Sequence, residues 1–152
     1  MMSCENNNQL NNTIIVKHLT DTIKAGEPAK LMAFLDKPSF LNKDASLLVY
    51  VENLSNENSL KSDLSNEDEI VMSVYHNFTV DTFNRKLLGK PKGFEDRQCV
   101  IFGQKFSTTG IKKIRGYFLE YYGNYHPVYD SFENNYGEKK KVFFEEEIYV
   151  KE

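Results

Sequence analysis

The sequence predicts an all-β protein, a single antiparallel β-sandwich of seven to nine strands behind a disordered N-terminal tail. Three observations carry that reading. Across residues 111–151 the chain runs twice in a two-residue beat. Ile114, Gly116 and Phe118 alternate with Arg115, Tyr117, Leu119 and Tyr121, and Val142, Phe144, Ile148 and Val150 alternate with Phe143, Glu145, Glu147 and Tyr149. Successive side chains of a strand point to opposite faces, so each segment buries one row and wets the other, and a polar link between two such segments makes an antiparallel pair. Aromatic residues make up 13% of the chain, all Phe or Tyr, and together with 8 Gly and 4 Pro they favour strands separated by turns over a helical bundle. Strand-like runs recur along the chain with no internal repeat and no long amphipathic helical pattern.

The elements follow in order. Residues 1–12, Met-Met-Ser-Cys-Glu-Asn-Asn-Asn-Gln-Leu-Asn-Asn, form a polar low-complexity run with too little apolar surface to order itself, and read as a tail or tether. Residues 13–18 are a short β-branched run, and Thr22-Ile23-Lys24 leads into the turn signal Ala25-Gly26-Glu27-Pro28. Residues 29–36 alternate Leu31, Ala33 and Leu35 against Lys30, Met32 and Phe34, ending at Lys37-Pro38, where proline removes a ladder donor. Residues 45–53 place Leu47, Val49 and Val51 against Leu48, Tyr50 and Glu52, as suits a strand near the middle of a sheet.

Residues 54–69, with Ser, Asn, Asp and Glu throughout, are too polar for a buried element and read as a loop with a mobile tip and room for one short strand or helical turn. Residues 69–79 alternate Ile70, Met72, Val74, His76 and Phe78 against Val71, Ser73, Tyr75, Asn77 and Thr79, the cleanest inner strand of the first half. Residues 82–88 fit an extended edge or a helical turn, and Gly89-Lys90-Pro91-Lys92-Gly93 is loop. Residues 97–106 return to strand with Cys99 and Ile101 against Val100 and Phe102, and Thr108-Thr109-Gly110 turns into the final pair. The pattern implies one dry interior shared by Val49, Val74, Phe118 and Ile148.

At 152 residues and 40% apolar composition the chain supports one core, placed in a single domain over residues 13–152. Its 19 basic and 22 acidic residues give a net charge of −3 without a basic cluster, which argues against nucleic acid as a partner. No apolar run reaches the ~18 residues a spanning helix needs, so membrane contact would come through a covalent anchor or a partner. Cys4 and Cys99 define neither a metal knuckle nor a disulfide framework, and Cys99 in its apolar strand reads as an inert buried thiol.

Residues 109–117, Thr-Gly-Ile-Lys-Lys-Ile-Arg-Gly-Tyr, resemble the penultimate strand of bacterial immunoglobulin-like modules, entered from a glycine turn. The resemblance implies an immunoglobulin-like or transthyretin-like topology with Greek-key connections, and a closed barrel is the rival solution to exposed edges. The head of the chain, Ser3-Cys4-Glu5-Asn6, resembles the mature end of a bacterial lipoprotein, most closely the uncharacterised lipoproteins of Bacteroidetes-type bacteria. In that resemblance Cys4 carries the lipid, and Asp21-Thr22-Ile23 is similar to the group's O-glycosylation site. The charged and apolar segments that would precede the lipid-bearing cysteine do not stand before Cys4, which under this resemblance places the natural start further upstream.

Candidate chemistry is sparse. His18, His76 and His126 share no ligand spacing, and Asp63, Asn66, Glu67, Asp68 and Glu69 lack the ordered pattern of a calcium loop, so no metal and no cofactor is expected. Glu146 falls on the face of Phe144 and Ile148, where a carboxylate reaches the sheet edge, pairs with Lys or Arg, or has a raised pKa that serves acid/base work, pairing being the expectation. No second carboxylate, serine elbow or phosphate-cradling loop accompanies it. Residues 121–137 look made for contact, because tyrosine among Gly, Asn and Ser is the mixture of binding loops. Tyr121, Tyr122, Tyr125, Tyr129 and Tyr136 are the candidate ligand-binding residues, unless their rings fold back to cap the sandwich.

The expectation is a non-enzymatic cell-envelope module, lipid-anchored or secreted, that acts in adhesion or assembly through its loops on a protein or glycan partner. A glycan-binding accessory module would need several of the five tyrosines exposed and coplanar. A small hydrolase would need Glu146 or His126 to meet a second acid or a nucleophile.

Overall fold

The computed structural model describes residues 14–20, 22–40, 44–77 and 93–152. The tail with Cys4, the position of Asp21 and the segment 82–88 lie outside the described residues. Those described form the strands β1 (Ile14–His18), β2 (Thr22–Lys24), β3 (Pro28–Leu35), β4 (Ser46–Glu52), β5 (Met72–His76), β6 (Cys99–Lys105), β7 (Gly110–His126) and β8 (Ser131–Lys151), with no α-helix among them. The chain is all-β. A three-stranded sheet ordered β1-β3-β6 faces a five-stranded sheet ordered β2-β8-β7-β4-β5.

The alternation places the interior. Leu31 and Ala33 of β3, Val100 and Phe102 of β6, Leu47, Val49 and Val51 of β4, Ile114 and Phe118 of β7, and Phe144, Ile148 and Val150 of β8 form one buried cluster between the sheets. Phe102 stands edge-on to Phe118 and Phe144, with centroids at 6.2 and 5.4 Å, and those two rings stack at 4.4 Å. The other row of β4 and β7 is also buried. Leu48, Tyr50, Tyr117 and Leu119 form a second cluster on the outer face of the larger sheet, with Leu60 and Ile70 laid over them. A third, smaller cluster of Met32, Cys99 and Ile101 backs the smaller sheet.

Several expectations need correction. The larger sheet is mixed, because β2 runs parallel to β8, pairing Thr22 with Tyr149 and Lys24 with Lys151. β1 lies at the edge of one sheet and β2 at the edge of the other, so the chain changes sheets between His18 and Thr22. The layers are also not cleanly separate. At the β5 edge the Tyr75 hydroxyl donates to the Gly103 carbonyl of β6 at 3.2 Å, closing that side like part of a barrel.

β5 is a five-residue edge strand, not an inner one, and Val74 is 40% exposed, so only Val49, Phe118 and Ile148 of the four expected residues share the interior. The alternation was real, but an edge strand leaning on β6 leaves one of its rows wet.

Residues 54–69 are the polar, mostly exposed loop expected, with one 3-10 turn at Glu67–Glu69, but the loop is anchored rather than free. Leu60 is fully buried, and the polar side chains that suggested a free loop are spent on its own backbone: Asn56 Nδ2 donates to Asn53 O and Val71 O, Asn66 Nδ2 to Ser59 O, and Glu52 accepts from the Leu60 amide. Arg115 closes the arrangement by donating to Leu60 O at 2.6 Å and to Glu145 at 2.6 Å. The tyrosine-rich stretch, read as a loop over residues 121–136, is mostly strand: β7 runs to His126, β8 starts at Ser131, and only residues 127–130 turn. Ladder hydrogen bonds of a long hairpin hold residues that composition alone assigns to a loop.

Candidate functional site

The long β7–β8 hairpin and the folded loop 53–70 approach each other over the outer face of the larger sheet and leave an open cleft of about 340 Å³ between them. Its floor is the stacked pair Tyr50 and Tyr117, with centroids at 4.5 Å and planes inclined by 16°. These rings meet because Tyr50 of β4 and Tyr117 of β7 are direct cross-strand partners on the same face. One wall is Glu67, Asp68 and Ile70 of the loop, and the other is Pro127, Val128 and Asp130 of the hairpin tip.

Lys141 of β8 ties the walls together. Its ammonium donates to both oxygens of Glu67 at 3.0 Å, lies 3.8 Å from Asp130 Oδ2, and sits 5.1 Å from the Tyr117 ring centroid. Asp130 anchors the turn. It adopts a left-handed backbone with φ of 47°, accepts the Tyr125 hydroxyl hydrogen bond, and accepts from Lys139 at 2.7 Å. Aspartate tolerates that conformation better than most side chains.

Burial works against charge on Asp130, but the hydrogen bonds from Lys139 and Tyr125 outweigh it and hold the carboxyl below the ordinary aspartate value. Burial pushes the Tyr50 and Tyr117 hydroxyls up, as it does Tyr125, where the carboxylate of Asp130 adds to the effect. All three stay protonated donors across the physiological range. The Tyr50 hydroxyl is buried beside the Tyr125 hydroxyl, which already gives its hydrogen to Asp130, and Tyr50 lines the cleft. The cleft thus offers carboxylate acceptors, a lysine and tyrosine donors to a polar ligand, against two stacked rings.

The depressed Asp130 carboxyl gives a prediction. A group whose folded pKa lies below its unfolded value contributes stability that is present above the unfolded value, 3.8, and is lost as the pH falls through the folded one. Acidification below about pH 4 therefore releases the hairpin tip before the core. Hydrogen exchange of the amides of residues 126–132 should accelerate there, and Asp130→Asn should remove the pH dependence. Asp130 is more than half exposed, so solvent screening keeps the effect local.

The five sequence-predicted tyrosines do not form one platform. Tyr121 and Tyr125 belong to the outer-face cluster, tilted by 44° with centroids at 5.3 Å. Tyr122, one residue out of phase, turns to the other face, meets Phe40 edge-on at 5.2 Å and donates to Glu138 at 3.1 Å. Tyr129 and Tyr136 are exposed, at 75% and 52%, and Tyr129 leans on the His126 ring at 4.5 Å. Glu146 pairs with His18 at 3.0 Å rather than with the expected Lys or Arg, because His18 of β1 faces it across the two sheets. That pair is one imidazole and one carboxylate, and among the described residues neither a second carboxylate nor a hydroxyl nucleophile bonds to it.

Sequence reasoning did not single out Tyr50, Tyr117, Lys141 or Asp130 as site residues. The outer row of β4 and β7 was legible as a row, but its role depends on which loop lies over it. It also missed Glu120, 1% exposed, which accepts from the Ser39 amide at 2.5 Å while its other oxygen is buried without a partner among the described residues. Lys140 stands opposite it in the ladder, and burial lowers the lysine's pKa while the Glu120 charge works to raise it.

Comparison of the chain with protein-family models, with curated proteins and with solved structures finds no match.

Proposed function

We propose that this chain is a non-enzymatic binding module of the bacterial cell envelope, lipid-anchored through Cys4 or secreted, which engages a partner at the β7–β8 hairpin tip in adhesion or assembly. The observation that carries the reading is the tip itself. Val128 and Tyr129 are 80% and 75% exposed on a turn that Asp130, Lys139 and Tyr125 hold rigid, beside an open polar cleft. Large apolar and aromatic side chains presented on a braced turn bind at low entropic cost.

The finer fold belongs to the same reading. The chain crosses between β1 and β2 to the opposite sheet, β2 runs along the last strand, and β4 and β5 extend the sheet holding the final hairpin. That order supports an immunoglobulin-like sandwich of the variable type, whose hairpin-end loops carry recognition.

The test places a photo-crosslinking amino acid at Tyr129 and, as a control, at Tyr149 in the full chain expressed in its native host. A discrete adduct from position 129 alone supports the reading; equal labelling at both positions, or none at 129, ends it. Mass of the native Cys4 peptide decides the anchor, and an unmodified Cys4 on protein recovered from the cytoplasm removes it.

A second reading, a glycan-binding accessory module, is favoured by the Tyr50 hydroxyl on the cleft floor, whose neighbour Tyr125 already gives its hydrogen to Asp130, since a sugar hydroxyl entering the cleft would pair with it. A glycan array probed with wild type and Tyr50→Phe tests it. Binding lost in the variant supports the reading, and silence of the wild type removes it.

A further inference from the structure

The five-stranded sheet is open on one side. β2 covers the outer edge of β8 only at Tyr149, Val150 and Lys151, and among the described residues no strand pairs with that edge over residues 131–148. The first part of this edge is broken by left-handed backbone at Asn134 and Asn135, with φ of 60° and 53°, and by Gly137 at 120°. What remains regular, with no strand beside it among the described residues, is residues 138–148, bounded by the kink on one side and β2 on the other. The midpoint of that segment is Phe143.

The segment reads Glu138-Lys139-Lys140-Lys141-Val142-Phe143-Phe144-Glu145-Glu146-Glu147-Ile148, and its charge pattern inverts about the same residue. Two copies laid antiparallel with Phe143 on the two-fold axis bring Lys139 opposite Glu147, Lys140 opposite Glu146 and Lys141 opposite Glu145 on each side of the axis. Val142 then meets Phe144, and Phe143 meets its own copy. Opposed residues have the same parity, so inner rows continue inner rows and outer rows continue outer rows across the joint.

Other registers are worse. Moving the pairing by two residues one way sets Lys140 against Phe144, Lys141 against Phe143 and Glu138 against Glu146. Moving it the other way sets Val142 against Glu146 and Phe143 against Glu145. A one-residue slip exchanges the faces.

We infer that residues 138–148 of β8 form a self-complementary edge at which a second copy of this chain pairs antiparallel about Phe143, joining two five-stranded sheets into one continuous sheet. A sheet edge of this length can accept a further strand, and natural sheets either blunt such edges or use them. Here Lys and Glu on the edge discourage random pairing, while their order favours one partner in one register. The arrangement is isologous and closes at two, so it does not propagate into fibres.

Several of these side chains already hold partners within the chain. Glu145 binds Lys113 and Arg115, Glu146 binds His18, Lys139 binds Asp130, Lys140 bonds Ser39 and Lys141 binds Glu67. The test therefore uses the outermost opposite-charge pair, Lys139 and Glu147, both at exposed positions, with Glu138 and Ile148 beyond it.

Sedimentation velocity of the full chain, reduced so that Cys4 cannot crosslink, is expected to show a monomer–dimer equilibrium at about 100 μM, weakened by 1 M NaCl through screening. Lys139→Glu and Glu147→Lys each place two like-charge contacts in the dimer and should weaken association by about tenfold or more. An equimolar mixture of the two variants restores the opposite-charge pairing and should return dimerisation to near the wild-type level. Lys139 also bonds Asp130, so Glu147→Lys, remote from the tip, separates a pairing effect from damage to the turn, and circular dichroism checks that both variants fold. A wild type that stays monomeric at that concentration, variants that associate unchanged, or a mixture that fails to recover would each overturn the inference.

Discussion

Phe102→Ala should lower the free energy of unfolding by about 3–5 kcal/mol, the cost of removing a large buried ring that its surroundings cannot collapse to replace. Phe102 is 1% exposed and comes from the smaller sheet, yet its edge contacts are Phe118 and Phe144 of the larger one. It is the ring by which the layers hold each other. Urea denaturation followed by tyrosine fluorescence measures the loss, and for a chain of this size the melting temperature should fall by about 10 °C. Phe102→Leu, which keeps most of the volume, should cost about 1.5 kcal/mol. A loss below about 1 kcal/mol for the alanine variant would mean that the sheets do not share an interior.

Gly116→Ala should cost about 3 kcal/mol although it adds one methyl group. The added carbon would lie 1.8 Å from the Tyr50 carbonyl oxygen of β4 and 3.1 Å from the Phe144 ring, so strand and core must both move. The informative comparison is Gly26→Ala. There the added carbon meets nothing within 4 Å, and the penalty is only the left-handed backbone at φ +89°, about 1 kcal/mol. The same denaturation experiment ranks the two, and a Gly26 variant less stable than the Gly116 one would contradict the close approach of β7 to β4. The Gly116 site also matters for the cleft, because the adjacent Tyr117 and its cross-strand partner Tyr50 form its floor.

The parts of the fold that were legible in the sequence are those where one strand's own alternation decides the outcome. Both rows of β7 and β8 and the inner rows of β3 and β4 lie on the faces that their periodicity implies, because a residue's side of the sheet follows from its position in the strand alone. The parts that were not legible depend on a neighbour far away in sequence. Leu60 is buried because Arg115 and Glu52 draw its loop onto the sheet, and Val74 is exposed because β5 lies at an edge. The tyrosines failed to gather for a related reason. Tyr121 and Tyr122 differ by one residue, and in a strand that difference alone sends them to opposite faces.

By itself, then, the sequence determined that this chain is built from strands and which face of each long strand turns inward, since both are set by backbone geometry over a few consecutive residues. Tertiary structure alone decided that β2 runs parallel to β8, that Glu146 meets His18, and that Tyr50, Tyr117, Lys141 and Asp130 surround one cleft. Those groups are brought together by pairings between strands scattered over about a hundred residues, and local periodicity carries no record of which strand will lie beside which.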